Sequence, residues 1–447
     1  MPLNCTAALA GFAAGTLSPS ELLEECLSTI ERLEPQVHAW VRVDMDSARS
    51  LAAQLTAELR QNQRRGPLHG VPIGIKDIVD VAGVPTEAGS PWRRHHVAPA
   101  DAPIVARLRA AGAVILGKTV TTEYASFDPP VTRNPWNLAR TPGGSSSGSA
   151  ASVASGMCPA AIGSQTGGSI VRPASFCGVA GFKPAWGTVP LAGIVPLSEH
   201  LDHPGPIARS VEDLRLIHQV IADHDAPTNW PAEWLAQPPQ VRDTFDPERV
   251  PVVRIFEDFF LAEAAPDVRD ATRAAVKKLA AAGASVQVVQ LPASFADVHR
   301  NHRRLMARGA ADAHGALYRK HPDQFGRHIG ELIAEGFRVT DAEVTAALEH
   351  QAQFRHDLLA KISPLDVLIT PSTMTVAPGV ETTGDPRFNS PWSYSGLPTV
   401  SIPCGLADAG MPVSLQIAGK PWLVERLFAA ATWCERTLAF NERPSLS

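Results

Sequence analysis

The chain contains two glycine-dense segments that carry serines, Gly143-Gly144-Ser145-Ser146-Ser147-Gly148-Ser149 and Gln165-Thr166-Gly167-Gly168-Ser169-Ile170. Glycine has no Cβ, so backbone N–H groups beside it approach a reacting atom closely. Lys76 stands upstream in Gly74-Ile75-Lys76-Asp77, after an apolar run that is expected to bury its stem. Burial disfavours the ammonium form and makes a lysine a usable base near neutral pH. A serine nucleophile, an oxyanion-binding loop and a base together predict a hydrolase.

Composition favours a globular protein. The 447 residues are 45% hydrophobic and 19% charged, which is typical of a soluble chain with a large buried fraction. The net charge is −5 and there is no basic run, so nothing indicates nucleic-acid binding. The six cysteines lack CxxC pairing, which favours reduced thiols. Without a positively charged signal region or an apolar stretch of about 20 residues, we expect a cytoplasmic protein that does not enter membranes.

Alternating helix and strand patterns predict an α/β fold. Ser18-Pro19-Ser20-Glu21 has the sequence of a helix-starting capping box. A helix at 101–111 precedes a buried strand at 113–116, and the same order recurs at 268–282 and 286–291. Further predicted elements are strands at 71–79, 366–370, 399–403 and 413–418 and mostly helical residues 300–353. We expect one domain with a mixed sheet and helices on both faces; the Pro- and Trp-rich stretch 223–251 is not taken as a linker.

The first glycine-dense segment is expected to lead into a helix at 150–154. Amides at a helix N-terminus favour developing negative charge. Ser147 and Ser149 are interpreted as caps of this helix. For Lys76, an ion pair with Asp77 or Asp80 is the alternative to a catalytic role.

One segment matches the spacing of a phosphate-binding P-loop, Gly112-Ala113-Val114-Ile115-Leu116-Gly117-Lys118-Thr119. A P-loop follows a strand and leads into a helix. Here the four intervening residues are themselves the predicted strand, and the helix precedes them. This order disfavours nucleotide binding.

Two other patterns have alternative interpretations. Gly144–Gly148 matches the G-x-S-x-G elbow of α/β-hydrolases with Ser146 at its centre, but residues 134–142 do not form the hydrophobic strand that the elbow requires. An esterase of that class stays an alternative. His200-Leu201-Asp202-His203 suggests a metal site, yet Pro204-Gly205-Pro206 follows at once and favours a loop. We therefore expect no metal.

Taken together, these motifs resemble the amidase signature family. Its serine- and glycine-rich block is similar to residues 143–184, and its lysine motif is similar to residues 66–77. Further landmarks are residues 201–206, 366–371, 396–398 and 412–419. The resemblance implies one amidase-signature domain over 1–447, with a catalytic core at about 63–225, a variable helical region at about 226–360, and closing strands and a helix at 361–447.

The resemblance also implies a Ser-cisSer-Lys triad. Ser169 is expected to be the nucleophile, Ser145 to relay its proton, and neutral Lys76 to accept it, with a cis peptide between Gly144 and Ser145. The family's oxyanion loop falls on the amides of Thr166, Gly167, Gly168 and Ser169. At position 165, glutamine replaces the aspartate that is frequent in the family.

Arg172 and Gly144 are assigned to substrate binding. Arg172 is expected either to clamp a substrate carboxylate or carbonyl, or to form an ion pair that packs the loop. Sequence alone leaves both open.

The expected function is hydrolysis of a C–N bond in a small amide, anilide or carbamate through an acyl-enzyme, without a metal or organic cofactor. A homodimer is compatible with this interpretation. The alternative is the glutaminase (A) subunit of a tRNA-dependent amidotransferase, which uses the same triad inside an assembly. The order Ile-Val-Arg-Pro at 170–173 differs from the Ile-Arg-x-Pro usual in those subunits.

Overall fold

One sheet of eleven strands organises the chain, and the computed structural model describes residues 4–223, 242–362 and 366–446. The strands are β1 Trp40–Val43, β2 Pro72–Lys76, β3 Val114–Thr119, β4 Ala160–Gln165, β5 Ala180–Lys183, β6 His203–Ala208, β7 Val252–Phe256, β8 Ser285–Val289, β9 Asp366–Pro371, β10 Thr399–Leu406 and β11 Pro412–Ala418. Their order across the sheet is β1-β3-β2-β4-β6-β5-β10-β11-β9-β7-β8. The sheet is mixed, with β2 parallel to both β3 and β4.

Helices surround this sheet. They are α1 Cys5–Ala14, α2 Pro19–Val37, α3 Met45–Arg60, α4 Pro103–Ala110, α5 Ser147–Ala154, α6 Val171–Phe176, α7 Val211–Ile221, α8 Pro266–Ala281, α9 Val298–Lys320, α10 Arg327–Gly336, α11 Asp341–Leu359, α12 Ser390–Ser395 and α13 Val424–Leu438. Within the described ranges, no helix combines the length and apolar character that a bilayer crossing requires. The stretch 223–251 falls largely on residues 224–241, which lie outside the described residues.

The helices pack on both faces of the sheet. Along β3, Ile115 belongs to one buried apolar cluster, while Val114 and Leu116 belong to another. Successive strand side chains point to opposite faces, so the two clusters lie on opposite sides. Residues of α4 and α7 join the first cluster, and residues of α2, α3 and α5 join the second. The predicted single α/β domain with a mixed, two-sided sheet is confirmed.

Several local predictions are also confirmed. The Ser18 hydroxyl accepts the N–H of Glu21, and the Glu21 carboxylate accepts the N–H of Ser18 in return, so α2 starts with a capping box. The helix expected at 101–111 is α4, and the P-loop-like segment after it contributes strand β3. Six of the eight residues in that segment, 114–119, therefore lie within β3.

The prediction of a loop after His200 is wrong, because residues 203–208 form β6 between β4 and β5. Pro204 and Pro206 lack an N–H, but they are two residues apart, so both missing donors fall on one side of the strand. The ladder between β6 and β5 uses only Ile207 and Ala208. Proline is tolerated on the side of β5, which does not pair with β6 at those positions, whereas β4 pairs with β6 at both prolines.

The arrangement of β2 and β4 positions the candidate site. These parallel neighbours pair Ile75 with Ile162, and they end at Lys76 and Gln165. Parallel strands present their carboxyl ends at the same edge of a sheet, where α/β proteins commonly bind ligands. Lys76 and the second glycine-dense segment are thereby brought together.

Candidate active site

Lys76 ends β2 within a group of three serine hydroxyls. Its Nζ lies 2.7 Å from Ser145 Oγ, 2.8 Å from Ser164 Oγ and 3.1 Å from Ser146 Oγ. The side chain is completely buried. This burial lowers the pKa of Lys76 well below its ordinary value, and the charge of Asp202 opposes the shift. The uncharged form of the amine is therefore favoured, and the three serine hydroxyls are within hydrogen-bond distance of it.

The alternative ion pair for Lys76 is not formed. Asp77 instead pairs with Lys118 of β3, whose Nζ lies 2.8 Å from Asp77 Oδ1, and both side chains are buried. Asp80 adds its charge to the surroundings of Lys118 as well. Burial lowers the pKa of Lys118 as well, but the carboxylates of Asp77 and Asp80 oppose this shift, whereas Lys76 is left among hydroxyls.

The peptide between Gly144 and Ser145 is cis, as the resemblance implies. The Ser145 carbonyl accepts the N–H of Thr122 at 3.3 Å, and its hydroxyl meets Lys76. A Cβ on Gly144 would lie 2.8 Å from the methyl of Thr383 and 3.1 Å from that of Thr122. Glycine is required at 144 because two methyl groups already occupy the space of a side chain.

Ser146 is not placed as an elbow nucleophile. Its hydroxyl donates to the Ser164 carbonyl and accepts the Ser164 N–H, both at 3.1 Å, in addition to contacting Lys76. The side chain is completely buried, and residues 134–146 contain no strand, only two isolated bridges. The structural requirement of the α/β-hydrolase alternative is absent from this described segment.

The capping roles predicted for Ser147 and Ser149 are wrong. The Ser147 hydroxyl donates to the Gly143 carbonyl at 2.7 Å, and the Ser149 hydroxyl donates to the Ile162 carbonyl at 3.0 Å. The helix begins at Ser147, so both side chains already belong to it and connect it to its surroundings. Ser147 therefore connects α5 to the first glycine-dense segment, and Ser149 connects α5 to β4.

Ser169 closes the loop Thr166–Ser169 between β4 and α6, and 7% of its surface is exposed. Its carbonyl accepts the N–H of Ser146 at 3.3 Å, which places it against the first glycine-dense segment. Within the described residues its hydroxyl has no hydrogen-bond partner, including Ser145. The structure thus brings the three predicted triad residues into one region and leaves the Ser169 hydroxyl open to a ligand.

Gln165 holds the two ends of this loop. Its Oε1 accepts the N–H groups of Ile170 and Val171, each at 3.0 Å, and its Nε2 donates to Ser393 Oγ at 3.1 Å. A carboxylate could accept the two amides but could not donate to a hydroxyl. Glutamine at position 165 therefore supports the loop as an acceptor and adds an N–H donor that an aspartate lacks.

Asp202 connects the loop to the surroundings of Lys76. Its Oδ1 accepts the Thr166 hydroxyl, and its Oδ2 accepts the N–H groups of Leu197 and Ser198. Burial raises the pKa of Asp202 to about 6, against the opposing effect of these hydrogen bonds and of Lys76. In the described part of the chain, no group of three or more His, Cys, Asp or Glu side chains is placed to hold a metal ion.

Arg172 lies behind the loop with only 1% of its surface exposed. Its Nη2 donates to the Gly144 carbonyl at 2.8 Å and to Thr383 Oγ1 at 3.4 Å. Burial lowers the pKa of Arg172 to about 10, which leaves it charged at neutral pH. No carboxylate of the described residues forms an ion pair with it. The guanidinium thus supports the carbonyl of the cis peptide, which neither sequence interpretation anticipated.

Two residues near the loop escaped the sequence analysis. Ser164 contacts Lys76 because β2 and β4 are adjacent, a pairing that no local pattern reveals. His302 of α9 lies against the loop, with its Nε2 3.0 Å from the Thr166 carbonyl, although it is more than 130 positions away. Long-range pairing is the signal that sequence reasoning lacked.

A single α/β domain with a buried lysine at serine-rich loops is the architecture of the amidase signature enzymes. The family described as Amidase matches residues 21–428, and the chain belongs to this family. The protein is therefore a hydrolase that acts on carbon–nitrogen bonds other than peptide bonds.

Individual relatives match the chain along its length. It is 34% identical to the glutamyl-tRNA(Gln) amidotransferase (A) subunit of Chloroflexus aggregans, over 100% of this chain and 98% of that protein. It is 29% identical to the peptide amidase of Stenotrophomonas maltophilia, with a TM-score of 0.84 and coverage of 99% and 98%. The structure is also similar to a chain of a vestigial protein complex that reveals the evolutionary origins of an s-triazine catabolic enzyme. The TM-score is 0.87 at 29% identity, and the match covers 97% of this chain and 98% of that chain.

Proposed function

We propose that the protein hydrolyses the C–N bond of a small amide, anilide or carbamate through a covalent acyl-enzyme on Ser169. The observation that carries this proposal is the 2.7 Å contact between the buried amine of Lys76 and the hydroxyl of Ser145. An uncharged lysine has one lone pair and accepts a proton from a hydroxyl, as a general base must. The Ser169 carbonyl accepts the N–H of Ser146, the residue after Ser145, and the Ser169 hydroxyl has no partner among the described residues, as suits a nucleophile.

Acylation follows from this arrangement. Ser169 Oγ attacks the substrate carbonyl carbon, its proton passes to Ser145, and the Ser145 proton passes to Lys76 Nζ. The oxyanion is stabilised by loop amides in a buried site, where one such donor contributes about 3 kcal/mol. The ammonium of Lys76 returns the proton through Ser145 to the leaving nitrogen, and the C–N bond breaks to release an amine or ammonia.

Deacylation uses the same groups in reverse. Water attacks the acyl carbon while its proton moves through Ser145 to Lys76. Collapse of the second tetrahedral intermediate breaks the bond to Ser169 Oγ, which recovers its proton from Lys76 through Ser145. The acyl group leaves as a carboxylic acid, or as a carbonic acid monoester when the substrate is a carbamate.

Covalent labelling tests the nucleophile. A fluorophosphonate probe is expected to modify Ser169 in the purified protein, with the site mapped by mass spectrometry, and not to label Ser169→Ala. Ser146→Ala is the matched control from the other glycine-dense segment, and its labelled residue should still be Ser169. Modification at Ser146, or no modification at Ser169 in active protein, contradicts the proposal.

A second candidate function is the glutaminase (A) subunit of a tRNA-dependent amidotransferase. The full-length similarity to amidotransferase (A) subunits favours it. The same acyl-enzyme chemistry would then release ammonia from glutamine for use by a partner. The Ile-Val-Arg-Pro order at 170–173, which differs from the Ile-Arg-x-Pro usual in those subunits, favours the free amidase.

Two measurements separate these functions. Ammonia release is assayed with glutamine and with a panel of amides, anilides and carbamates. In parallel, tagged full-length protein is recovered from its source cells and its partners are identified. Activity on other amides, with no glutamine hydrolysis and no stable partner, supports the free amidase. Glutamine hydrolysis in a stable complex with other amidotransferase components supports the second candidate.

A further inference from the structure

All three carbonyl groups of the loop before Ser169 are held from outside it. His302 Nε2 lies 3.0 Å from the Thr166 carbonyl, Ser393 Oγ donates to the Gly167 carbonyl at 3.1 Å, and the N–H of Arg172 donates to the Gly168 carbonyl at 2.9 Å. Two of these donors are side chains from distant helices, α9 and α12. The third belongs to the first turn of α6.

Fixing the carbonyls also fixes the amides. In a planar trans peptide the C=O and the following N–H point in opposite directions. The N–H of Gly167 therefore points away from His302, and the N–H of Gly168 points away from Ser393. Within the described residues, no acceptor takes the N–H of Gly167, Gly168 or Ser169. These three donors are left for a ligand, and the N–H of Thr166, the remaining amide of the predicted oxyanion loop, is likewise without an acceptor among the described residues.

The protonation of His302 is set by its contacts. The ring is buried against the loop, with Cε1 3.5 Å from where a Cβ of Gly167 would lie. A carbonyl is only an acceptor, so Nε2 carries the proton in this contact. Burial lowers the pKa of His302 to about 4, so the ring is neutral under ordinary conditions. His302 thus acts as a fixed neutral donor and adds no charge to the site.

We propose that His302 and Ser393 are positioning residues that orient the oxyanion-binding amides of Gly167 and Gly168. The inference rests on the proposed function, because it assigns the direction of the donors that stabilise the oxyanion. Ser393 is itself held by Gln165 Nε2, so the glutamine at position 165 acts on the same peptide. Without these anchors, rotation of either peptide would turn its N–H away from the reacting oxygen.

The test uses saturation kinetics of fluorophosphonate labelling, because the phosphoryl oxygen needs the same donors as an oxyanion. His302→Leu removes the donor at similar volume, whereas His302→Gln keeps an N–H near the position of Nε2. We expect His302→Leu to lower kinact by about 10- to 100-fold, the size expected for a small misplacement of catalytic groups, with KI within about 2-fold. His302→Gln is expected to recover most of the loss.

His299→Leu is the matched control, since His299 lies one turn earlier on α9 and contacts Ser390 rather than the loop. Ser393→Ala is the second variant and decides the outcome if His302→Leu does not fold, as judged by its Tm. Unchanged kinact in folded His302→Leu, or in Ser393→Ala when His302→Leu is unfolded, overturns the inference. So does a loss that His302→Gln fails to recover. Absence of labelling at Ser169 in the wild type instead overturns the proposed function.

Discussion

The amine of Lys76 lies 2.7 Å from the hydroxyl of Ser145, and both side chains are completely buried. The carboxylate of Asp77, next to Lys76 in the chain, is directed to Lys118 instead. A buried lysine without a bonded carboxylate loses its proton readily. Lys76, which contacts Ser145, is therefore suited to act as a base, whereas Lys118 forms a structural ion pair with Asp77. The chemistry of the site follows from that difference.

Activity is expected to fall on acidification as Lys76 becomes protonated. The folded enzyme should stay active below the ordinary lysine pKa, because burial lowers the pKa of Lys76. Lys76→Met should lose about 100- to 10,000-fold in kcat, the usual contribution of a general base. Lys76→Arg should lose as much, because a guanidinium stays protonated. The measurement is kcat/KM across pH, and activity unchanged in Lys76→Met would exclude Lys76 as the base.

Ser164→Ala is expected to move the acid limb of this profile to lower pH. The Ser164 hydroxyl lies 2.8 Å from Lys76 Nζ and accepts a hydrogen bond best from the ammonium form. Removing it disfavours that form and lowers the pKa of Lys76 further. Ser152→Ala is the matched control, because Ser152 is also buried but bonds to the Ser149 carbonyl. A shift to higher pH would contradict this account.

Arg172→Ala is expected to reduce activity on neutral amides and on amides that carry a carboxylate by the same factor. The guanidinium is buried and donates to the Gly144 carbonyl, so its loss disturbs the cis peptide whatever the substrate. A hydrogen bond from a charged group contributes about 1.5–3 kcal/mol, equivalent to about 10- to 100-fold. The comparison is kcat/KM on paired substrates. A loss confined to the acidic substrate would restore the carboxylate clamp.

Gly167→Ala and Gly168→Ala form a pair with different expected outcomes. A Cβ on Gly168 would lie 2.6 Å from Asn389 Oδ1, and the Asn389 side chain is held by the Ser372 carbonyl and by Gln416. The nearest atom to a Cβ on Gly167 is at 3.5 Å, an ordinary contact. We expect Gly168→Ala to lose at least about 100-fold in kcat and Gly167→Ala to retain activity within about 10-fold. Equal kcat values for the two variants would contradict this prediction, because the loop would then tolerate the displacement caused by a Cβ at position 168.

Glu435→Gln is expected to flatten the dependence of stability on pH. The Glu435 side chain is half-buried and its carboxylate accepts the N–H of Val211 at the start of α7, and desolvation raises its pKa from 4.5 to about 8. Between these values the unfolded chain releases a proton that the folded protein keeps, so the wild type loses stability as pH rises from 4.5 to 8. Glutamine retains the acceptor without the charge.

The Tm of Glu435→Gln should therefore exceed that of the wild type above pH 8 and equal it below 4.5. Glu248→Gln, at a largely exposed position, is the control and should leave the curve unchanged. Wild-type stability that rises from about pH 5 to pH 8 relative to Glu435→Gln would contradict the predicted sign.

Local sequence determined the elements whose signals are themselves local. The capping box at Ser18, the helix before β3 and the glycine-dense segments were readable because capping, apolar periodicity and the absence of a Cβ act within a few residues. The family and its single α/β domain followed from motifs spread along the chain. The fold class needed no long-range information beyond them.

Tertiary structure alone decided which groups meet. The predicted capping by Ser147 and Ser149 and the predicted loop at the Pro-Gly-Pro after His203 are both wrong. Both depend on neighbouring strands, which local sequence does not reveal. The pairing of β2 with β4 brings Ser164 to Lys76, and the packing of α9 brings His302 to the loop. Side-chain direction and burial depend on residues far away in the chain. The proton affinity of Lys76 and the orientation of the loop amides are therefore properties of the folded protein.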